Sequence, residues 1–478
     1  MSLRHLWAFL AVALPVLAAL LAALPATDLA YHLRAGAEIL DSGRIPIEDT
    51  WTFTVNGLPW TDQQWGAQVT LALVYRVGGW VGLVVLRAAL VGLIFGALFE
   101  TCRRQGIGLR MASWLTIGAF IVAAPALALR PQLLGMALFA LTLVLIFDRH
   151  EHPRRLWLVP VIAVVWANVH GSFFLAPAML GLAWLGDLDR TDPKRHLALA
   201  VAIATALATC LTPFGPAVWV YAVALGSNPE VTSRITEWQP ASLRDPAGVV
   251  FFGSALLVAA FLARRDRPVP WPTLAWLAFF FVLGVYAARG IAWWSLAVVP
   301  AVAGLLSAAR HDLSAAIVPR PEPSALRRAN AAVAVILVVI GIVLVPFWRP
   351  VDNDFGAPVG VLSQAPPGIT GELRRLARPD GRLFNEQRWG SWFELSLPDL
   401  PVAIDSRIEF FPADVWDAYE RIRSGRPGWE ATLDEWGATI VAVDEEPNSP
   451  FVRRLESTGW SQRFTGSEGT ILTRAARQ

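Results

Sequence analysis

At 478 residues, with 55% hydrophobic and 16% charged residues and a mean hydropathy of +0.47, the chain is too apolar for a soluble globule of its length and reads as an integral membrane protein. The formal charge of +2 hides an uneven split: residues 350–478 carry 14 Arg and 20 acidic residues, and the rest carries 26 basic and 18 acidic ones. The basic residues fall in short clusters between apolar runs and not along one face with interleaved aromatics, which argues against a nucleic-acid partner. Cys102 and Cys210 lie near the ends of apolar segments, so no disulfide framework is expected.

A helix needs about 20 apolar residues to cross the hydrocarbon. Eleven segments qualify, at approximately 5–25, 80–101, 110–128, 132–148, 155–169, 172–187, 196–212, 247–263, 272–287, 291–308 and 329–348. The first follows Arg4 and His5, and Leu24-Pro25-Ala26 is a poor small-x-small cleavage site, so it reads as an uncleaved signal anchor. Arg103-Arg104, the run from Arg149 to Arg155, Lys194-Arg195, Arg264-Arg265-Arg267, and Arg310 with Arg327-Arg328 fall in every second loop. The positive-inside rule places those loops in the cytoplasm, leaving the N-terminus inside and everything after Trp348 outside.

The first outer loop, residues 26–68, is the longest polar insertion of the membrane half. Leu29, Leu33, Ala37 and Leu40 recur at helical spacing and Gly43 follows as a stop, which predicts a helix lying on the membrane surface. Residues 65–77 and 214–226, with Trp65, Tyr75, Trp219 and Tyr221, read as further interfacial helices. The Pro-, Gly- and Asp-rich stretch from Arg349 to Gly368 reads as a linker. Beyond it, expected strands at 382–386, 401–405, 438–443, 460–465 and 469–473 alternate with helices at 369–377, 412–423, 429–436 and 449–458, a small α/β pattern. The expected architecture is thus a polytopic α-helical membrane domain over 1–349 and an extracytoplasmic α/β domain over 350–478.

On this topology the unusual polar residues share the outer side. Asp28, His32, Asp49, Trp60, Asp62, Gln63 and Gln64 lie in the first loop, and Arg130, Asn168, His170, Glu237 and Arg289 at other outer helix ends. Charge at membrane depth costs on the order of 2.5–3.5 kcal/mol and tends to be kept for a purpose.

An Asp just after the first membrane helix, a long first outer loop with surface helices and a C-terminal outer domain together resemble the GT-C class of glycosyltransferases. The loop is similar to that of bacterial members in its Tyr31-His32-Leu33-Arg34, Arg44-Ile45-Pro46 and Pro59-Trp60. The resemblance implies an enzyme that takes a sugar from a polyprenyl-phosphate carrier on the outer face of the membrane and passes it to a glycan, lipid or cell-wall acceptor. Asp28 is followed by Leu29 and not by a second acid, so an acidic partner is sought in Glu48, Asp49 or Asp62. Trp389-Gly390-Ser391-Trp392 is not the Trp-Trp-Asp of oligosaccharyltransferases, which argues against transfer to Asn of a protein.

The chemistry suits the residue types. An acceptor hydroxyl must lose its proton as it attacks, and a carboxylate within reach can take it; Asp28 is the candidate base, with His32, Asp49 and Asp62 as further catalytic candidates. The departing phosphate suits the bidentate fork of Arg130 or Arg289, with His170 a third donor and Glu237, Trp60 and Gln64 as substrate contacts. A divalent cation, Mg or Mn, fits oxygen ligands, and no His/Cys spacing supports zinc.

Plainer readings stand beside these. Asp28 can cap the surface helix, His32 can be an interfacial helix residue, and the arginines can snorkel to membrane lipids. His170 can be a helix-packing hydrogen bonder and Glu237 part of a solvated turn. Asn385, Arg388, Trp389, Asp405, Arg407 and Glu409 gather near the ends of two expected strands, where open α/β sheets place ligands, but an Asp405–Arg407 ion pair is an equal reading. The rival functions are a transporter or flippase of lipid-linked saccharide and a non-catalytic envelope assembly protein.

Overall fold

The structure is a computed structural model describing residues 1–310, 322–352, 356–378 and 380–474. The membrane-half elements are α1 (Leu3–Leu21), β1 (Leu24–Pro25), α2 (Ala26–Ser42), α3 (Trp65–Arg104), α4 (Leu109–Ala123), α5 (Pro131–Phe147), α6 (Leu158–Ala167), α7 (Leu175–Leu185), α8 (Leu197–Ala208), α9 (Ala217–Ser227), α10 (Pro229–Arg234), α11 (Pro246–Ala263), α12 (Trp271–Tyr286), α13 (Ile291–Arg310) and α14 (Ser324–Leu344). Then follow β2 (Val351–Asp352), β3 (Ala357–Pro358), β4 (Leu362–Ser363), α15 (Pro367–Leu376), β5 (Leu383–Asn385), α16 (Gly390–Ser396), α17 (Ala413–Ser424), α18 (Trp429–Glu435), β6 (Ile440–Val443), α19 (Pro450–Ser457), β7 (Ser461–Gly466) and β8 (Gly469–Thr473).

Among the described residues, six helices are long and apolar enough to cross a membrane, and four further apolar ones run 10–17 residues. Each of the eleven expected segments contains a helix, but α6 and α8 reach only 10 and 12 residues. A 3-10 turn started by Pro153 shortens α6 at one end and the Asn168–His170 bend at the other.

The chain divides into two compact units. One comprises residues 1–22 with 84–348, the other 23–83 with 349–478. The first outer loop therefore belongs with the C-terminal residues.

In the first unit α1 packs on α4 and α14, and α13 on α4 and α12. Its centre is aromatic: the buried Phe139 of α5 meets Trp166 and Phe280 edge-on, with centroids 6.2 and 5.7 Å apart, a geometry that aligns ring edges with ring faces.

In the second unit the sheet order is β5-β6-β8-β7, with β5 parallel to β6 and the other pairs antiparallel. Ile440-Val441-Ala442-Val443 is buried throughout, as the central position of β6 demands. Phe384, Trp416, Tyr419, Val452, Leu455 and Leu472 form the core, and Val55 of the first loop is built into it. Leu24 of β1 pairs in parallel with Leu362 of β4, and α16 packs on α2.

Two expectations need correction. Residues 401–405 are not a strand: Val402 makes only isolated bridges to Thr52 and Leu383. Pro401 lacks a donor, and the bonding is short and mixed: Leu383 N–H donates to Pro401 O at 3.0 Å and Ala403 N–H to Leu383 O at 2.9 Å, while the Asn385 amide accepts from Ala403 N–H at 3.0 Å and donates to Ile404 O at 2.8 Å. The stretch 349–368 is not a free linker, since β2 and β3 pair antiparallel and Val361 is buried; its residues 353–355 lie outside the described ones. Helix α3 is two helices joined at Gly79 (φ 54, ψ −150), a backbone state that only glycine adopts cheaply, so its first part covers the helix expected at 65–77 and its second the segment expected at 80–101. The surface helix α2 ends at Gly43 in the left-handed conformation, at the expected stop.

Candidate functional site

In the first unit, Pro131 fixes the start of α5 and leaves Arg130 extended just before it. Arg130 Nη1 donates to Glu237 Oε1 at 2.7 Å. The next residue, Trp238, lies under the Arg289 guanidinium, 4.5 Å from ring centroid to Cζ. Two backbone bonds hold this loop to the α12–α13 junction, Ala288 N–H to Gln239 O at 2.9 Å and Ala241 N–H to Val285 O at 3.2 Å. Arg130, Glu237 and Arg289 thereby line one cavity of about 140 Å³ with Gln132, whose buried Nε2 has no hydrogen-bond partner among the described residues. An unsatisfied buried donor costs about 1–3 kcal/mol unless something fills the space beside it.

His170 lies on the far side of Arg289, close enough to feel its charge. Its Nδ1 is 2.7 Å from Ser172 Oγ, which also accepts from Trp166 Nε1 at 3.0 Å. Gly135 of α5 leaves room for the ring, since a Cβ there would stand 3.4 Å from the imidazole. Asn168 donates to Val164 O and Leu211 O, a role in holding the bend.

In the second unit Asp28 occupies the first turn of α2. Pro25 is the flanking residue, so Asp28 lies inside the helix start, where the helix dipole favours a negative charge. Thr27 O accepts from Ser406 Oγ at 3.3 Å, which brings the 406–409 turn alongside. Glu409 is thus the acid in electrostatic range of Asp28, a partner not among Glu48, Asp49 and Asp62. Burial pushes the Glu409 carboxyl up, and the charges of Asp405 and Asp28 add to that. His32, on the same helix, is buried with its ring 3.9 Å from that of Tyr31.

Asp49 has a different setting. Arg407, 1% exposed, donates Nη2 to Asp49 at 2.7 Å, bonds Asp405 through Nε at 2.9 Å and lies 3.8 Å from Glu394. Trp51 and Trp60 close over its guanidinium at 4.6 and 4.7 Å, so Trp60, expected against a substrate, is half-buried on Arg407. Burial alone would disfavour the Arg407 charge, but Asp405, Glu394 and Asp49 outweigh it and hold the group firmly charged. Glu394 is pushed well up, first by burial and then by Asp405. Thr52 donates to the second oxygen of Asp49 at 2.7 Å, which fits a structural acid better than a base.

Asp62 is 3% exposed and accepts from Gln68 Nε2 at 2.7 Å, while its Oδ2 and Gln68 Oε1 have no partner among the described residues. Burial raises its pKa from 3.8 to about 7, against the lowering effects of Gln68 and Arg407. Gly36 makes this approach possible: a Cβ there would stand 2.1 Å from Gln68 O. Gln64 contributes its carbonyl to the first turn of α3, and Gln63 is buried beside Asp62. In the outer-domain cluster, Arg388 pairs with Asp444 and lies over Trp389.

Two residues of these sites, Glu394 and Gln132, were missed, as were two charged residues outside them, Arg87 and Glu38, the latter accepting from Trp51 Nε1 at 2.8 Å. Glu394 interrupts the apolar run Trp389–Leu397, and Arg87 interrupts α3, where it donates to Ala22 O at the end of α1; a lone charge in an apolar stretch is the signal that could have found both. Gln132 and Glu38 have no such signature. Among the described residues, one group of three metal-ligating side chains, Asp148, Glu151 and His152, lies within 4.8 Å, but Asp148 already accepts from Arg104, His152 and Arg155.

No family model and no curated protein matches the sequence. Solved structures do match the fold. The archaeal oligosaccharyltransferase AglB from Archaeoglobus fulgidus, in complex with an inhibitory peptide and a dolichol-phosphate, is 13% identical with a TM-score of 0.56, over 98% of this chain and 74% of that one. ArnT from Cupriavidus metallidurans bound to undecaprenyl phosphate is 16% identical with a TM-score of 0.51, over 98% of this chain and 97% of that one. At such identities the fold is what is shared, and it is the GT-C fold that the first loop resembles.

Proposed function

From the GT-C fold we infer that the chain is a membrane glycosyltransferase, one that moves a sugar from a polyprenyl-phosphate carrier to a glycan, lipid or cell-wall acceptor on the outer face. The observation that carries this reading is the cavity in the first unit that Arg130, Arg289, Glu237 and Gln132 line together, the buried Gln132 Nε2 having no hydrogen-bond partner among the described residues. A lipid phosphate suits two guanidinium groups on one cavity, and the two fold relatives were solved with polyprenyl phosphates.

In this reading Asp28 takes the acceptor proton while the arginines and His170 stabilise charge on the departing phosphate. Asp28 and Glu409, in electrostatic range of each other, offer oxygen ligands that suit a divalent cation, which would offset their charge. The topology has the N-terminus inside, eleven crossings and the second unit outside. A reporter fused after Gln478 that is active only outside the cytoplasm gives signal on that topology. Purified protein given a polyprenyl-phosphate sugar and a lipid or glycan acceptor should release the free carrier phosphate; no release with any donor, while the protein stays folded, would overturn the enzyme reading.

A further inference from the structure

Helix α5 spans 17 residues, about 26 Å, so Arg130 at its start and Arg149 beyond its end are separated by nearly the hydrocarbon thickness. At the Arg149 end two cavities meet on that residue. One is small, about 50 Å³, and polar, with Arg190, Lys194 and Arg195 on its wall beside Asp187 and Asp192. The other is about 320 Å³ and mostly apolar, between Phe147, Leu182, Trp276, Pro300, Ala301 and Leu305.

The large cavity exists because the facing residues are small or kinked. Gly186, Ala301 and Gly304 line it, and Pro300 interrupts the hydrogen-bond ladder of α13. A cavity this apolar between membrane helices draws in hydrocarbon and not water.

The polar mouth carries surplus positive charge. Arg149 spends its fork on Asp187, through Nε at 3.0 Å and Nη2 at 2.9 Å, and Asp192 accepts only the backbone N–H of Lys194, at 2.8 Å. Arg190, Lys194 and Arg195, all exposed, therefore face one remaining carboxylate. Trp157 and Trp271, 50% and 51% exposed, flank the two cavities in sequence, and half-exposed tryptophans mark headgroup depth.

We propose that this end of the unit holds one anionic glycerophospholipid, with its phosphate against Arg190 and Lys194 and an acyl chain in the apolar cavity. The charge selects an anionic headgroup, since a zwitterionic one presents its own cation to the same arginines. The apolar cavity beside the basic one selects a lipid over a free anion. The site is separate from the sugar-transfer cavity, and its test reads lipid retention and not turnover.

The test uses the full chain purified in mild detergent and offered palmitoyl-oleoyl phosphatidylglycerol or the matching phosphatidylcholine, with bound lipid read by native mass spectrometry. Phosphatidylglycerol is expected to be retained in preference. The double variant Arg190→Gln with Lys194→Gln alters exposed side chains only and should weaken retention about fivefold for each charge removed. Ala301→Phe should displace the chain by filling the cavity; Ala308→Phe, at the exposed edge of the same cavity, serves if the first variant misfolds. Equal retention of the two lipids, unchanged retention in the double variant or in a folded Phe variant, or displacement by millimolar inorganic phosphate would each overturn the proposal.

Discussion

Arg407 and Arg289 are the same residue in opposite circumstances. Arg407 is sealed at 1% exposure, in contact with Asp49 and Asp405, near Glu394, and roofed by two tryptophans. Arg289 lies on the wall of a cavity, with Trp238 beneath it and the Gln132 amide across the same space. The first arrangement completes itself within the chain and reads as structure. The second borders open space that a group from outside can enter, and reads as a site. Between these two arginines, whether the guanidinium borders a cavity is the difference that separates structure from site.

The comparison breaks most visibly at Arg407. Arg407→Met leaves buried carboxylates without their cation and should cost about 3–5 kcal/mol, read as a lowered melting temperature and easier proteolysis between residues 349 and 478. Wild-type stability in that variant would return Arg407 and Asp49 to the list of functional groups. Asp28→Asn should lower sugar transfer 10²–10⁴-fold with stability close to wild type. A variant that is active but unstable identifies Asp28 as a helix-start residue only.

Asp62 makes a sharper test of what burial does. Its folded-state pKa, about 7, lies above the unfolded value of 3.8, so the native chain holds the extra proton between those limits. The proton stabilises the fold at low pH, and stability falls as pH rises from about 4 to about 7, by up to roughly 4 kcal/mol. Asp62→Asn should flatten that slope in melting curves recorded across the same range. A slope unchanged in the variant assigns the pH dependence to Glu394 or Glu409 instead. The smallest effect is expected from Arg289→Lys, which keeps the charge but loses the fork: transfer should drop about 10-fold with membrane insertion unchanged. Full activity there would make Arg289 a lipid anchor.

Local pattern carried much of the fold. The spacing of Leu29, Leu33, Ala37 and Leu40 with Gly43 located α2 to within a turn, and the apolar runs located β5, β6 and β8, because burial on a repeating face leaves a periodic trace. Contacts distant in sequence leave none. Nothing near Asp49 points to Arg407, 358 residues away, and nothing near Asp28 points to Glu409. The cavity residues were half legible: Arg130, Glu237 and Arg289 stood out as charges at helix ends, whereas Gln132 looked like any polar residue at a helix start. Val402 misled because its apolar neighbours resemble a strand, whereas its backbone keeps only isolated bridges to Thr52 and Leu383 and the Asn385 amide takes Ile404 O.

The second unit is assembled from two pieces of chain, residues 23–83 and 349–478, and this has a consequence in time. Asp49 leaves the ribosome 358 residues before Arg407, which at about 5–20 residues per second is a delay of roughly 20–70 s. Throughout that interval Asp49, the half-paired β1 and the core-forming Val55 are outside any completed domain, while the intervening helices are being inserted. The first loop is thus made early and folded late, and the cell must keep it unaggregated until the last quarter of the chain arrives.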